Sequence, residues 1–138
     1  MSGPDMYFDD PADRQMAKAV ASGNIAEIEQ LISGGTVNPQ KTGRDATNWL
    51  VIAILANQKQ SLNRLLELGA LGDPKGKNAG QALFTATISD DDYWLKRLYE
   101  AGADLNNYGG GDLLLVTAMD TGNPKRLDYY LANGADIN

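Results

Sequence analysis

The chain is organised around the stretch Leu95-Lys96-Arg97-Leu98-Tyr99-Glu100-Ala101-Gly102-Ala103-Asp104-Leu105-Asn106. Its pattern predicts the last turns of an amphipathic helix, a glycine that ends the helix, and an extended exit. Glycine is favoured just beyond a helix end because it adopts left-handed backbone angles without a Cβ clash. A second copy occupies residues 127–138, and weaker copies occupy residues 62–70 and 28–37. Repetition therefore decides the fold class.

Two predicted helices precede each helix-ending glycine. The first predicted pair begins behind Asp10-Pro11 and is divided at Gly23. For the next three pairs, the apolar spacing predicts helices over residues 48–56 and 61–68, 81–88 and 93–101, and 113–119 and 125–133. Polar loops separate the pairs, at residues 38–45, 73–80 and 106–112. The helix-ending glycines Gly35, Gly69, Gly102 and Gly134 lie 34, 33 and 32 residues apart.

This period, with its Gly-Ala-Asp-x-Asn exit, resembles the ankyrin repeat, whose length is about 33 residues. The tetratricopeptide repeat, at about 34 residues, lacks this exit and the long loop. The resemblance covers residues 14–138 and implies an all-α ankyrin-repeat solenoid of about four helix-turn-helix repeats. We place the repeats at about residues 9–37, 38–71, 72–105 and 106–138, behind an N-terminal lead-in over residues 1–8, of which residues 1–5 are expected to be loose.

The sequence departs from the ankyrin pattern where the first helix of each repeat begins. The usual Thr-Pro-Leu-His becomes Asn48-Trp49-Leu50-Val51, Gln81-Ala82-Leu83-Phe84 and Leu113-Leu114-Leu115-Val116. The Leu is kept each time, whereas the Thr, Pro and His are lost. In the family, Thr and His form a hydrogen-bond ladder between repeats. We therefore expect stacking here to depend more on apolar packing.

The composition excludes several classes of function. The 138 residues include no Cys and no His, so disulfides, thiolate nucleophiles and imidazole chemistry are excluded. A net charge of −6 argues against nucleic acid as a partner, because phosphates select a Lys and Arg surface. No apolar run reaches the roughly 18 residues of a membrane span, and residues 1–13 lack the apolar core of a signal peptide.

Two polar clusters invite a catalytic or metal interpretation. Asp90-Asp91-Asp92 lacks the oxygen spacing of a calcium loop, and we expect a turn in which Asp92 caps the helix that begins at Tyr93. The glycine-rich loop 109–111 lacks the Gly-Lys-Ser/Thr ending of a phosphate-binding loop, and we expect a loop tip beside Asp112, which is available to cap the next helix. We predict no catalytic residues, no metal and no cofactor, and we expect no small-molecule ligand.

The remaining candidates are residues that a protein partner would contact. Tyr108 is an aromatic side chain on a loop, and tyrosine is enriched at binding hot spots. Two successive loops carry positive charge, which is either solvated or forms one basic rim for an acidic partner. Trp49 and Trp94 are expected to pack in the core, with partner contact as the alternative role, and of Tyr129-Tyr130 one side chain is expected in the core and one on the surface. The candidate binding residues are Lys41, Arg44, Trp49, Lys75, Lys77, Asp90, Asp91, Tyr108 and Asp112.

Repeat solenoids usually hold another protein, so we predict a non-catalytic binding module. The opening residues 7–13, with Met16 to Val20 and Ser22-Gly23-Asn24, resemble small bacterial ankyrin proteins, many of them exported. Some of these are immunity proteins of toxic secreted effectors, such as type VI secretion lipases, and this is the function that the resemblance implies. The alternative is an adaptor or scaffold for another bacterial envelope protein, and an enzyme is a third hypothesis. The expected compartment is the periplasm if an export signal was removed from the chain, and otherwise the cytoplasm.

Overall fold

The computed structural model describes residues 3–109 and 112–135. They form two compact units, Met1–Leu71 and Gly72–Asn138. Each unit contains two helix pairs, and in each pair a first helix is followed by a second helix after a short turn. No α helix in the described ranges combines the length and the apolar character needed to cross a membrane.

The N-terminal unit contains the first two pairs. These are α1 (Pro11–Ser22) with α2 (Ile25–Ser33), and α3 (Trp49–Leu55) with α4 (Lys59–Glu67). Helix α1 packs against α3, and α2 packs against α4. The core is apolar, as the loss of the Thr and His ladder predicts, and a few buried polar bonds supplement it. One of them joins neighbouring repeats, where the Ser61 hydroxyl donates to the carbonyl of Val20 over 2.9 Å.

The C-terminal unit also contains two helix pairs, with a short β-hairpin between them. Its elements are α5 (Lys77–Ile88) with α6 (Tyr93–Glu100), the strands β1 (Tyr108–Gly109) and β2 (Asp112–Leu113), and α7 (Leu114–Asp120) with α8 (Pro124–Ala132). The two strands form an antiparallel hairpin in which Tyr108 is opposite Leu113. Helix α5 packs against both α7 and β1.

The predicted helix-ending glycines are confirmed. The four helix-ending glycines all adopt left-handed φ angles, of 75° at Gly35, 91° at Gly69, 106° at Gly102 and 96° at Gly134. Asp10 caps α1 by accepting the N–H of Ala12, ahead of Pro11 at the first helical position. The same role belongs to the side chains of Asn24, Asn48 and Asn123 at α2, α3 and α8.

Helix α5 begins four residues earlier than predicted, so residues 77–80 are helical and do not belong to a loop. Gly80 made this segment look like a loop in the sequence. Its role is spatial: a Cβ at residue 80 would collide with the carbonyl oxygen of Tyr108. The missing side chain lets the hairpin pack directly on α5.

The prediction of a loose lead-in was wrong at its C-terminal end. Pro4–Tyr7 forms a short 3-10 helix that packs against α1. Phe8 follows it, is 3% exposed, and stacks on Trp49 with the ring centroids 4.5 Å apart. A carbonyl and a carboxylate of this segment also bind Arg44, through Met6 and Asp9. The segment is therefore part of the N-terminal unit.

Candidate protein-binding surfaces

The first loop, residues 38–48, is built around a short bridge between Thr42 and Asn48. The N–H of Gly43 donates to the carbonyl of Thr47 over 2.7 Å, and a second 3-10 turn, Arg44–Ala46, fills the space between them. Two non-glycine residues in that turn, Asp45 and Ala46, have left-handed φ angles of 56° and 59°. Such angles are uncommon outside glycine, and they fix a sharp, exposed tip.

Lys41 and Arg44 lie in this loop beside the start of α1, as the walls of a polar cleft of about 430 Å³. Each has a carboxylate from its own unit. The ammonium of Lys41 lies 3.6 Å from the largely buried Asp13, and the guanidinium of Arg44 pairs with Asp9. These charges are therefore already compensated, which weakens the interpretation of a free basic rim.

Trp49 is 1% exposed, and its indole N–H donates to the carbonyl of Asn38 over 2.9 Å. A partner has no access to this side chain in the described conformation. The placement agrees with the expected role in core packing, and Trp94, at 2% exposed, is likewise a core residue.

The other two candidate lysines, Lys75 and Lys77, lie on different elements, one on a loop and one on a helix. Lys75 lies on the second loop, residues 72–76, with its ammonium 3.9 Å from Asp104. Lys77 is exposed on the first turn of α5, so its assignment to a loop was wrong.

In the acidic turn Asp90-Asp91-Asp92, the side chain that caps α6 differs from the predicted one. Asp91, rather than Asp92, accepts the N–H of Tyr93 at the start of α6, over 2.9 Å. Asp92 pairs instead with the guanidinium of Arg126 on α8, and Asp90 is exposed. The described residues contain no group of three or more acidic side chains arranged to hold a metal ion.

The hairpin β1–β2 presents Tyr108, whose side chain is 63% exposed. The buried side chain of Asn107 fixes its backbone, because the amide donates to the carbonyls of Pro74 (3.2 Å) and Gly76 (2.9 Å) and its oxygen accepts the N–H of Tyr108. Tyr108 is thus an exposed aromatic ring on a loop that these hydrogen bonds hold in place. Asp112 pairs with Gly109 in the hairpin. The N-cap position of α7, which the sequence predicts for Asp112, is occupied by Leu113. The glycines 110 and 111 lie outside the described residues.

The sequence patterns did not predict that several apolar side chains on the first helices are exposed. Leu55 is 73% and Ile88 is 54% exposed, and each is the last residue of its first helix. Val116 and Met119, on one face of α7, are 42% and 60% exposed. Residues 49–55 are apolar throughout, so periodicity could not separate the outward-facing Leu55 from its buried neighbours. The signal that could have found it is the recurrence of an apolar residue at the same position of two repeats.

In the N-terminal unit, Leu55 borders a mainly apolar pocket of about 310 Å³. The pocket lies between the end of α3 and the N-terminal 3-10 helix, and the half-exposed Met6 forms part of its wall. Because Arg44 binds the backbone of Met6 over 2.7 Å, the wall is held in place.

Two tyrosines of α8 sit in different environments. Tyr130 is fully buried, and its hydroxyl lies 2.6 Å from that of Thr87. Burial raises the pKa of Tyr130 to about 12, against the opposing effects of the Thr87 hydrogen bond and the Arg126 charge. Tyr129 is partly exposed and packs edge-on against Tyr99. This matches the expectation that one of the two rings lies in the core.

The geometry defines a class: an all-α protein with the ankyrin-repeat fold. Among solved structures, the human ASB11 ankyrin repeat domain matches with a TM-score of 0.65 at 25% sequence identity. The match covers 94% of this chain and 56% of that one. Proteins of this fold typically bind other proteins.

Among curated proteins, Protein PhlB of Serratia liquefaciens is 31% identical over 131 residues. The match covers 94% of this chain and 57% of PhlB. The chain therefore spans little more than half the length of both proteins. No family model matches it.

Proposed function

We propose that the chain is a non-catalytic protein-binding protein that holds its partner on the side of the first helices and loops. The observation that carries this proposal is the exposure of Leu55, Ile88, Val116 and Met119. Leu55 belongs to the N-terminal unit and the other three side chains to the C-terminal unit, so each unit exposes apolar area on a first helix. Such area costs roughly 25 cal/mol per Å² relative to burial, which a protein partner would recover. Leu131 is the one large apolar side chain on a second helix that is exposed in the described ranges.

Tyr108 extends this surface in the C-terminal unit. Its loop is held by hydrogen bonds to the second loop and by the contact between the hairpin and Gly80, so little ordering is needed on binding. Preorganisation of this kind reduces the entropic cost of association. We expect Tyr108 to contribute as an aromatic anchor at the edge of the apolar surface.

For the partner, we propose a toxic secreted effector, such as a type VI secretion lipase, which the chain would neutralise as an immunity protein. The support is the resemblance of residues 7–24 to small bacterial ankyrin proteins. In this role the chain would act in the periplasm if it is exported, and otherwise in the cytoplasm. The alternative role, as an adaptor for another bacterial envelope protein, would use the same surface.

Co-expression of the chain with each effector encoded beside its gene tests the proposal. An immunity protein should co-purify with one such effector, abolish its activity, and restore growth of cells that express it. Absence of a complex with every neighbouring effector would rule out the immunity role. Recovery of an envelope protein whose activity is unchanged by the chain would favour the adaptor role.

A further inference from the structure

The second helices of the C-terminal unit enclose a cleft that the proposed function does not use. It has a volume of about 360 Å³ and lies between α6 and α8. Positions 92, 95 and 96 form one wall and positions 125, 128, 129 and 132 form the other. Both sets follow the spacing of one helix face, so the cleft is a groove between two helices.

Arg126 fixes the end of this groove. It is 2% exposed, and its guanidinium donates to the carbonyl of Thr87 over 3.2 Å and to the carbonyl of Ser89. The same group pairs with Asp92. The planar, five-donor guanidinium suits such a multiple attachment. Arg126 thereby ties the start of α8 to the turn before α6.

In the N-terminal unit, ion pairs bridge the equivalent pair of second helices. There, the guanidinium of Arg64 on α4 lies 2.5 Å from Glu29 on α2 and 3.1 Å from Glu67. Equivalent positions are counted back from the glycine that ends each repeat's second helix. Glu29 lies six residues before Gly35, and Arg64 and Glu67 lie five and two residues before Gly69. In the C-terminal unit these three positions hold Lys96, Tyr129 and Ala132.

The substitutions open the groove and leave its cations without a carboxylate of their own. Ala132 and Tyr129 cannot repeat the ion pairs of Glu67 and Arg64. Lys96 and Lys125 line the cleft, and no carboxylate of the described residues lies within ion-pairing distance of either ammonium. Asp128, on the same wall, is the one acidic lining residue besides the engaged Asp92. In a chain of net charge −6, this is a local excess of positive charge.

Leu95, Ala132 and the ring of Tyr129 give the cleft an apolar component. Leu95 and Ala132 are the aliphatic lining residues, on opposite walls of the cleft. The pKa of Tyr129 is raised by burial and by the neighbouring Glu100 and Tyr99, so the hydroxyl stays protonated at neutral pH and can donate a hydrogen bond. The cleft therefore suits a group that combines an apolar body with a carboxylate.

We propose that the α6–α8 cleft binds an acidic peptide segment of a protein partner, with a carboxylate on Lys96 and Lys125 and an apolar side chain over Leu95. This is a second interaction surface, on the second helices rather than the first, and it does not depend on the identity of the partner proposed above.

A titration of the full chain, followed by amide chemical shifts, tests the proposal. The probe is a capped peptide, acetyl-Ala-Glu-Leu-Glu-Ala-amide, and its control carries Gln in place of both Glu residues. The largest shifts should fall on residues that line the cleft, and the acidic peptide should bind about fivefold more tightly than the neutral one, because exposed charge pairs are individually weak. Equal affinity for both peptides, or the absence of shifts at the cleft, would overturn the proposal.

Two variants separate the cleft from general attraction of acids to lysines. Lys96→Glu should weaken binding by about fivefold or more, whereas Lys77→Glu, the same charge change on an exposed lysine of the same unit, should leave it unchanged. Equal losses would contradict the proposal. A triple variant, Lys96→Glu with Tyr129→Arg and Ala132→Glu, transplants the ion-paired side chains of the N-terminal unit and should abolish binding while the helical circular dichroism is kept. If the triple variant does not fold, the single substitution carries the test.

Discussion

The helix pairs α2–α4 and α6–α8 occupy equivalent positions in their two units. Ion pairs bridge the first pair, whereas an open cleft lies between the helices of the second. Three positions account for the difference. Glu29, Arg64 and Glu67 form the ion pairs of the first, whereas Lys96, Tyr129 and Ala132 line the cleft of the second. The repeated backbone therefore provides equivalent grooves, and the side chains decide which of them is available to a ligand.

The comparison also distinguishes two kinds of arginine. Arg64 is about one-third exposed and joins two partly exposed glutamates, an arrangement that water can replace. Arg126 is buried and satisfies two backbone carbonyls in addition to Asp92. Buried charged groups are costly to leave without partners. The two residues should therefore differ in their contribution to stability.

The largest effect is expected from Arg126→Ala. The substitution strands two carbonyls and a carboxylate at the turn before α6, and we expect a loss of about 3 kcal/mol in the free energy of unfolding. Urea denaturation followed by circular dichroism measures it. Lys125→Ala, one residue away and exposed, is the control and should change little. A loss no greater for Arg126→Ala than for Arg64→Ala would show that the buried attachment is not important.

A second difference between the units appears at alkaline pH. Leu65 in α4 and Tyr130 in α8 stand at the same position of the repeat, and only the tyrosine titrates. Its pKa is about 12 in the folded chain and 10.0 without the fold. A raised pKa contributes stability that is complete below pH 10 and is lost as the pH rises through about 12.

Tyr130→Phe should therefore flatten the alkaline fall in stability. At pH 7 the variant should lose about 1 kcal/mol, the usual contribution of one hydrogen bond, here to Thr87. Between pH 10 and pH 12 the parent chain should lose about 2 kcal/mol more than the variant. Urea denaturation at several pH values provides the comparison, and parallel curves would contradict the assignment.

The smallest effect is expected from Glu29→Gln. The Glu29–Arg64 pair is accessible to water, so its loss should slightly lower the urea midpoint at low ionic strength. The difference should vanish at about 1 M salt, where exposed charges are screened. A difference that persists in high salt would mean that Glu29 acts through packing rather than charge.

The repeat architecture could be predicted from the sequence because its signals are local. Each helix-ending glycine and each Asn or Asp cap acts within a few residues of itself. The start of α5 could not be predicted, because Gly80 is explained by the carbonyl of Tyr108, 28 residues further along the chain. The same holds for Trp49, which is buried under Phe8.

The candidate sites were harder to predict for the same reason. Asp90, Asp91 and Asp92 are all within capping reach of α6, and the role of Asp92 follows from Arg126 on a different helix. The sequence directed attention to the loops, whereas the exposed apolar residues and the open cleft lie on helices. A comparison of equivalent repeat positions reveals both, since the exposed Leu55 and Ile88 share one repeat position, whereas the open cleft arises where one repeat differs from another.

The central claim, that the first helices hold the protein partner, can be tested within the last helix pair. Met119 on α7 is 60% exposed and Leu131 on α8 is 44% exposed, so Met119→Asp and Leu131→Asp are matched changes on the two sides. Isothermal titration with the effector encoded beside the gene should show that Met119→Asp weakens binding by about tenfold or more, equivalent to 1.4 kcal/mol, while Leu131→Asp leaves it unchanged. Loss of binding through Leu131→Asp with Met119→Asp unaffected would contradict the account.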